Sequence, residues 1–84
     1  MNVGDVVSYV GEYGESKIAK ILAIGSDKDS YEDVKLEDGV FLYKSKKLKK
    51  YVPVKEKSLD SIYLEVEGLG GAMDFILPSE ILSD

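Results

Sequence analysis

Along most of the chain apolar and polar side chains alternate with a period of two, and glycine supplies the breaks. Val7 and Tyr9 interleave with Val6, Ser8 and Val10 until Gly11-Glu-Tyr-Gly14 interrupts, which predicts a strand running into a loop. From Lys17 to Ile24 the chain places Ile18, Leu22 and Ile24 on one side and Ala19, Ile21 and Ala23 on the other. That predicts a mostly buried strand ending at Gly25, although eight residues also fit a short helix. After the polar connection "SDKDS" (26–30) comes "YEDVKLEDGVFLYK". Here Val34 and Leu36 alternate with charges up to Asp38-Gly39, and Val40 and Leu42 alternate with Phe41 and Tyr43 beyond it. Asp-Gly between two alternating runs predicts a two-residue hairpin, because the tight turn needs a positive φ that these residues adopt cheaply.

Ser45 to Lys50 holds one apolar residue, Leu48, and predicts a short turn with that leucine pointing inward. "YVPV" (51–54) reads as a short strand that Pro53 confines to a sheet edge or end, and "KEKS" (55–58) as a linker. Ile62, Leu64 and Val66 then alternate with Tyr63, Glu65 and Glu67, the turn "GLGG" (68–71) follows, and "AMDFIL" (72–77) returns. Pro78-Ser79-Glu80 with Ile81 and Leu82 predicts a last short turn. Six or seven strands without a sustained helical period make the expected class all-β. Segments 34–48 and 64–82 share an order of strand, glycine turn, strand, polar turn and leucine, which two hairpins of similar design explain without duplication.

Composition narrows the chemistry. At 84 residues the chain is expected to be a single domain, 1–84, burying about 60–65% of its unfolded surface. It contains no Cys, His, Arg, Trp, Thr or Gln. Disulfides, thiolate nucleophiles, Ser-His-Asp arrangements and the usual zinc sites are therefore outside its repertoire. So is the arginine fork that grips phosphate or guanine with two parallel bonds. No metal site and no cofactor is expected. "DKDSYEDVKLED" (27–38) has the carboxylate density of a calcium loop but carries Glu32 where the loop needs glycine, and Asp38 at its last position. "GLGG" lacks the Gly-Lys-Ser/Thr of a phosphate loop. The longest apolar runs, such as Ile21 to Ile24, are far short of the roughly 20 residues of a spanning helix. "MNVGD" has no basic cluster leading into an apolar stretch, so the expected location is cytoplasmic, with no membrane partner.

From Val3 to Val54 the chain resembles an SH3-like small barrel of the Tudor or KOW kind. The resemblance is carried by "VGDVVSYVGEYGESKIAKILAIG" and "YEDVKLEDGVFLYKSKKLKKYVPV". The shared features are Gly-Asp-Val opening the first strand, a glycine-bearing loop, a second strand "KIAKILAI", a charged Asp-Gly hairpin, a polar turn and a short fifth strand. The resemblance implies an all-β, SH3-like barrel core at 3–54 with a C-terminal hairpin, 58–84, added to it. It also implies a binding module, since domains of this kind bind RNA, DNA, proteins or modified tails.

Two sets of residues are candidates for that binding. All eleven cations are lysines, and the segments 1–34, 35–57 and 58–84 carry net charges of −4, +5 and −6. Lys44, Lys46, Lys47, Lys49 and Lys50 form a ridge in the positive segment, continued by Lys55 and Lys57. Clustered lysines attract nucleic acid or an acidic partner; equally, such a ridge is a solvated turn that guards a sheet edge. The surrounding negative charge disfavours nucleic acid, and we expect the ridge to be balanced by Glu65, Glu67 and Asp74. The resemblance also implies a possible aromatic cage for a methylated cation, from Tyr9, Tyr13, Tyr31 and Tyr43 with Glu32 or Asp33 beside it. The bare residues are as well explained by half-buried strand tyrosines with wet hydroxyls. The expected function is a non-enzymatic protein-binding module, a small phage-encoded or bacterial regulator that occupies a host protein. The alternative is a nucleic-acid-binding barrel using the ridge at 44–57.

Overall fold

A computed structural model describes residues 1–25, 29–54 and 62–83. Within them the architecture is all-β, with two single 3₁₀ turns and no α-helix. The strands are β1 (Val6–Val10), β2 (Ser16–Gly25), β3 (Ser30–Glu37), β4 (Val40–Ser45), β5 (Tyr51–Pro53), β6 (Tyr63–Gly68), β7 (Met73–Ile76) and β8 (Ile81–Ser83). They form one antiparallel sheet in the order β5-β4-β3-β2-β1-β8, with β6 also paired to β2 and β7 paired to β6. The predicted linker at 55–58, with Lys55 and Lys57, lies outside the described residues, as do positions 26–28 of the polar connection.

β2 organises the sheet. It pairs with β1 from Val6↔Lys20 to Val10↔Ser16, with β6 from Ala19↔Gly68 to Gly25↔Tyr63, and with β3 at Ile24↔Tyr31. The β6 register shifts between Ile21 and Ala23, so Leu22 is an extra residue that breaks the two-residue period. Ala19 and Ile21 before the bulge and Ile24 after it are therefore all buried, while Ile18 is 59% exposed. The strict alternation expected from sequence put Ile18 and Ile24 on one side; the bulge separates them.

Inside the curve of the sheet, Val7, Tyr9, Ile21, Val34, Tyr43, Leu64, Val66 and Ile76 make one core. The C-terminal hairpin β6–β7 thus belongs to the same sheet and the same core as β1 to β5. β1 and β7 are separated in the pairing order by β2 and β6, yet the Tyr9 hydroxyl donates to Asp74 Oδ2 at 3.3 Å. Only a strongly curled sheet brings them so close. Among the described residues the curl stops short of closure, because β7 pairs only with β6 and β8 only with β1.

The hairpin at Asp38-Gly39 has φ of 52° and 78°, positive at both turn positions, with Glu37 opposite Val40. That is the mirror-image turn whose twist matches the flanking strands. β5 ends the pairing path, so Pro53 sits on an edge strand. Between β4 and β5 the Lys49 amide donates to Ser45 O at 2.9 Å and the Leu48 amide to Ser45 Oγ at 3.0 Å. Hydrogen bonds to Ser45, with Lys49 at a φ of 57°, hold this turn, and Leu48 is 56% exposed rather than inward. A turn closed by its own polar groups leaves no call on the leucine for burial.

Gly39→Val should destabilise the chain by about 1–2 kcal/mol in chemical denaturation, because a β-branched residue resists a φ of +78° although its Cβ would meet no neighbour. Unchanged stability would mean that this turn does not constrain the hairpin.

Candidate protein-binding surface

The lysine ridge lies where β4 turns into β5. Lys46, Lys47, Lys49 and Lys50 are exposed on the turn, and Lys44 is half-buried on β4. Lys49 Nζ sits 2.7 Å from Glu32 Oε1 on β3. The hydrogen bond from Lys49, reinforced by the charges of Lys49, Lys44 and Lys46, holds the Glu32 carboxyl below its ordinary range. The ion-pair partner of the ridge among the described residues is thus Glu32, one strand away. Among the described residues no ion pair involves Glu65, Glu67 or Asp74.

The four nominated tyrosines do not share one open cage. Tyr9, Tyr31 and Tyr43 are buried, at 4%, 7% and 0% exposure, because each falls on an inward position of its strand. Tyr31 and Tyr43 pack against each other with ring centroids 5.2 Å apart, tilted by 54°. Burial pushes the Tyr31 hydroxyl above its usual range, with the charge of Asp29 adding to it. Tyr13, in the β1–β2 loop, is 89% exposed. The acidic neighbours are also separated: Glu32 serves the ridge, while Asp33 is buried. Asp33 accepts a short hydrogen bond from the Tyr51 hydroxyl and lies 3.0 Å from the Met1 ammonium. That hydrogen bond is the main reason the Tyr51 hydroxyl is pushed above its usual range. Lys35 Nζ stands 4.2 Å over the Tyr51 ring, so the cation on an aromatic face is one of the chain's own. Tyr51 was not among the tyrosines singled out from sequence. Its cross-strand partners on β4 follow only from the β4–β5 register, Lys44↔Tyr51.

A different surface gathers exposed apolar groups. A cleft of about 410 Å³ has Tyr9 in its lining and Ile18, Leu69 and Met73 beside it. These three are 59%, 92% and 50% exposed. Lys17 and Asp74 supply its charges. A second cleft shares Lys17 and Asp74 and continues along Phe75 and Ile76 toward Gly11, Glu12 and Glu80. Phe75 is 50% exposed, with its ring edge-on to Tyr63 at 5.2 Å. Local sequence explains the shape. Gly68 to Ala72 makes a glycine-rich 3₁₀ turn, in which Gly70 and Gly71 have φ of 77° and 82°, and this carries Leu69 out into solvent. Burial, then the adjacent Asp74 charge and hydrogen bond, push the Tyr9 hydroxyl above its ordinary range. Glu15, held by its own and the Tyr13 backbone N–H and by Lys17, lies below the usual carboxylate range.

The sequence pointed to the aromatic and cationic residues and passed over Ile18, Leu69 and Met73. The signal for Leu69 was available: a lone leucine between glycines has no strand position in which to bury itself. Ile18 was hidden by the bulge.

Among the described residues, no group of three or more carboxylates could hold a metal ion, and no helix is long and apolar enough to cross a membrane. Compared with protein-family models, curated proteins and solved structures, the chain matches none.

The Glu32 contact predicts a pH effect with a definite sign. A carboxyl depressed in the folded chain contributes stability that is present above its unfolded pKa and fades as pH falls through its folded one. In an NMR titration Glu32 should therefore ionise below the ordinary glutamate range, and Lys49→Gln should move it back up. A Glu32 midpoint that ignores this substitution would remove Lys49 as the cause.

Proposed function

We propose that the chain is a non-enzymatic protein-binding module whose contact surface is the pair of clefts between the β1–β2 end of the sheet and β7. The observation that carries this reading is the cluster of Ile18, Leu69 and Met73, half or more exposed beside a cleft lined by Tyr9, with Phe75 half-exposed on the adjoining cleft that shares Lys17 and Asp74. Scattered surface apolar residues need no explanation, whereas a contiguous set around a concavity is the usual mark of a recognition site. Lys17, Asp74 and Glu12 around it supply the polar rim that gives such a surface direction.

The scaffold we propose is an SH3-like small barrel, with its strands assigned differently from the sequence expectation. β1, β2, β6 and β7 pair in succession, the 3₁₀ turn Pro78–Glu80 follows, and β8 returns to pair with β1. That order supports β1, β2, β6, β7 and β8 as the five barrel strands, with β3 to β5 inserted between the second and third. On this assignment the ridge belongs to the insertion and the clefts to the barrel.

The test is affinity capture with three forms of the chain: unaltered, Ile18→Lys with Leu69→Lys, and Lys46, Lys47, Lys49 and Lys50 all changed to Gln. Both substitutions in the cleft variant are at exposed positions, so stability should change by no more than about 0.5 kcal/mol each. Proteins retained by the unaltered chain should be lost from the cleft variant and kept by the ridge variant. With the ridge variant, association should be slower and less salt-dependent, because exposed charges act mainly on the encounter rate. Retention by the cleft variant would overturn the reading. Nucleic acid is the competing ligand, and a low-salt shift of duplex or single-stranded DNA or RNA that the ridge variant abolishes would put it in place of protein.

A further inference from the structure

Resting on the protein-binding reading above, we infer that the free edge of β7 receives an extended, basic segment of the partner protein as an added strand. The direction of the β7 backbone comes first. The Gly68 N–H donates to Ala72 O at 2.7 Å, which marks these two as a hydrogen-bonded antiparallel pair. Alternation along the ladder makes Val66↔Asp74 the next such pair, so the N–H and C=O of Met73 and Phe75 point away from β6. The Phe75 N–H shows this directly, donating to Asp74 Oδ1 at 2.9 Å. No described strand pairs with β7 on that side. Asp74 caps one of the outward groups and leaves the Met73 N–H, the Met73 C=O and the Phe75 C=O facing the open seam. Such a row is a template for an incoming strand.

The walls of the seam specify the strand. Glu12, Asp74 and Glu80 line the cleft beside it, with Lys17 as its cation, and Lys17 Nζ is 3.6 Å from Glu15. None of Glu12, Asp74 and Glu80 forms an ion pair with a described lysine. A segment lying there meets net negative charge on the Asp74 side, while its alternate residues fall beside the exposed side chains of Met73 and Phe75. Side chains of neighbouring strands pair on each face, so the matching segment alternates lysine or arginine with apolar residues.

The test uses blocked eight-residue peptides alternating lysine with valine, the same with glutamate for lysine, and two forms of the first methylated on one or the other set of alternate backbone nitrogens. The lysine peptide should bind and slow exchange of the Met73 amide. One methylated form should bind comparably and the other about tenfold more weakly, since only one set of amides faces β7. The glutamate peptide should not bind. Beyond the side-chain loss that Met73→Ala shares and controls for, Met73→Pro removes only an outward N–H, and Ala72 at φ −66° and ψ 124° suits the residue before proline. This variant should lose about tenfold in affinity at an unchanged melting temperature. If the melting temperature falls, the methylated pair on the unaltered chain decides. Equal binding of both methylated forms, protection on β5 or β8, or peptide-induced pairing of two copies would each overturn the inference. A captured partner lost from the Ile18, Leu69 variant but kept by Met73→Pro would overturn it too, while leaving the protein-binding reading in place.

Discussion

The ten residues of β2 hydrogen-bond to three other strands, and the bulge at Leu22 is what lets them do so. Before the bulge the strand is committed to β1 on one side and begins β6 on the other. After it β2 continues with β6 and takes up β3 at Ile24. An extra residue bends the strand and increases its twist. Without that bend the inward side chains of Ala19, Ile21 and Ile24 would not share one face, and the core they form with Leu64 and Val66 would divide between two sides of the sheet.

Curvature brings the ends of the sheet near each other without joining them. β1 is flanked by β2 and β8, so what spans the curl between β1 and β7 is a side-chain contact, Tyr9 to Asp74. Asp74 is shared, one oxygen accepting from the Tyr9 hydroxyl and the other from the Phe75 amide. A carboxylate so placed both ties the seam and blunts the strand edge beside it. The exposed apolar groups collect around the same seam for the same reason: side chains there lack the opposing strand that would cover them.

Much of the fold was legible in the chain. The Asp38-Gly39 hairpin, the edge position of Pro53 and the strands 63–68 and 73–76 follow from alternation and turn chemistry, both of which act over a few residues. Pairing partners did not follow. That β6 lies against β2, across a separation of some forty residues, depends on where the chain returns, and alternation looks the same whichever neighbour a strand chooses. Parity was the second blind spot, since one bulge reverses inside and outside for everything after it. The tyrosines show the consequence: six rings were visible, but only registers reveal that Tyr31 and Tyr43 meet in the core while Tyr13 stands in solvent.

Charge was legible as bands and illegible as contacts. The positive band lies between two negative ones in sequence, yet the ridge finds Glu32 one strand away, because the β3–β4 hairpin and the turn after β4 place Lys49 there. An exposed pair of this kind is weakened by solvent screening and leaves most of the ridge solvated. The acidic C-terminal strands are consequently not used up in neutralising it. Glu12, Asp74 and Glu80 line the seam without an ion pair to a described lysine, beside exposed apolar groups and an open strand edge. The cleft at the ridge, among Asn2, Val3, Glu32, Lys46 and Lys49, has a single apolar residue in its lining; the seam joins charge and concavity to exposed apolar side chains and backbone directed outward, and that combination is what the protein-binding reading rests on.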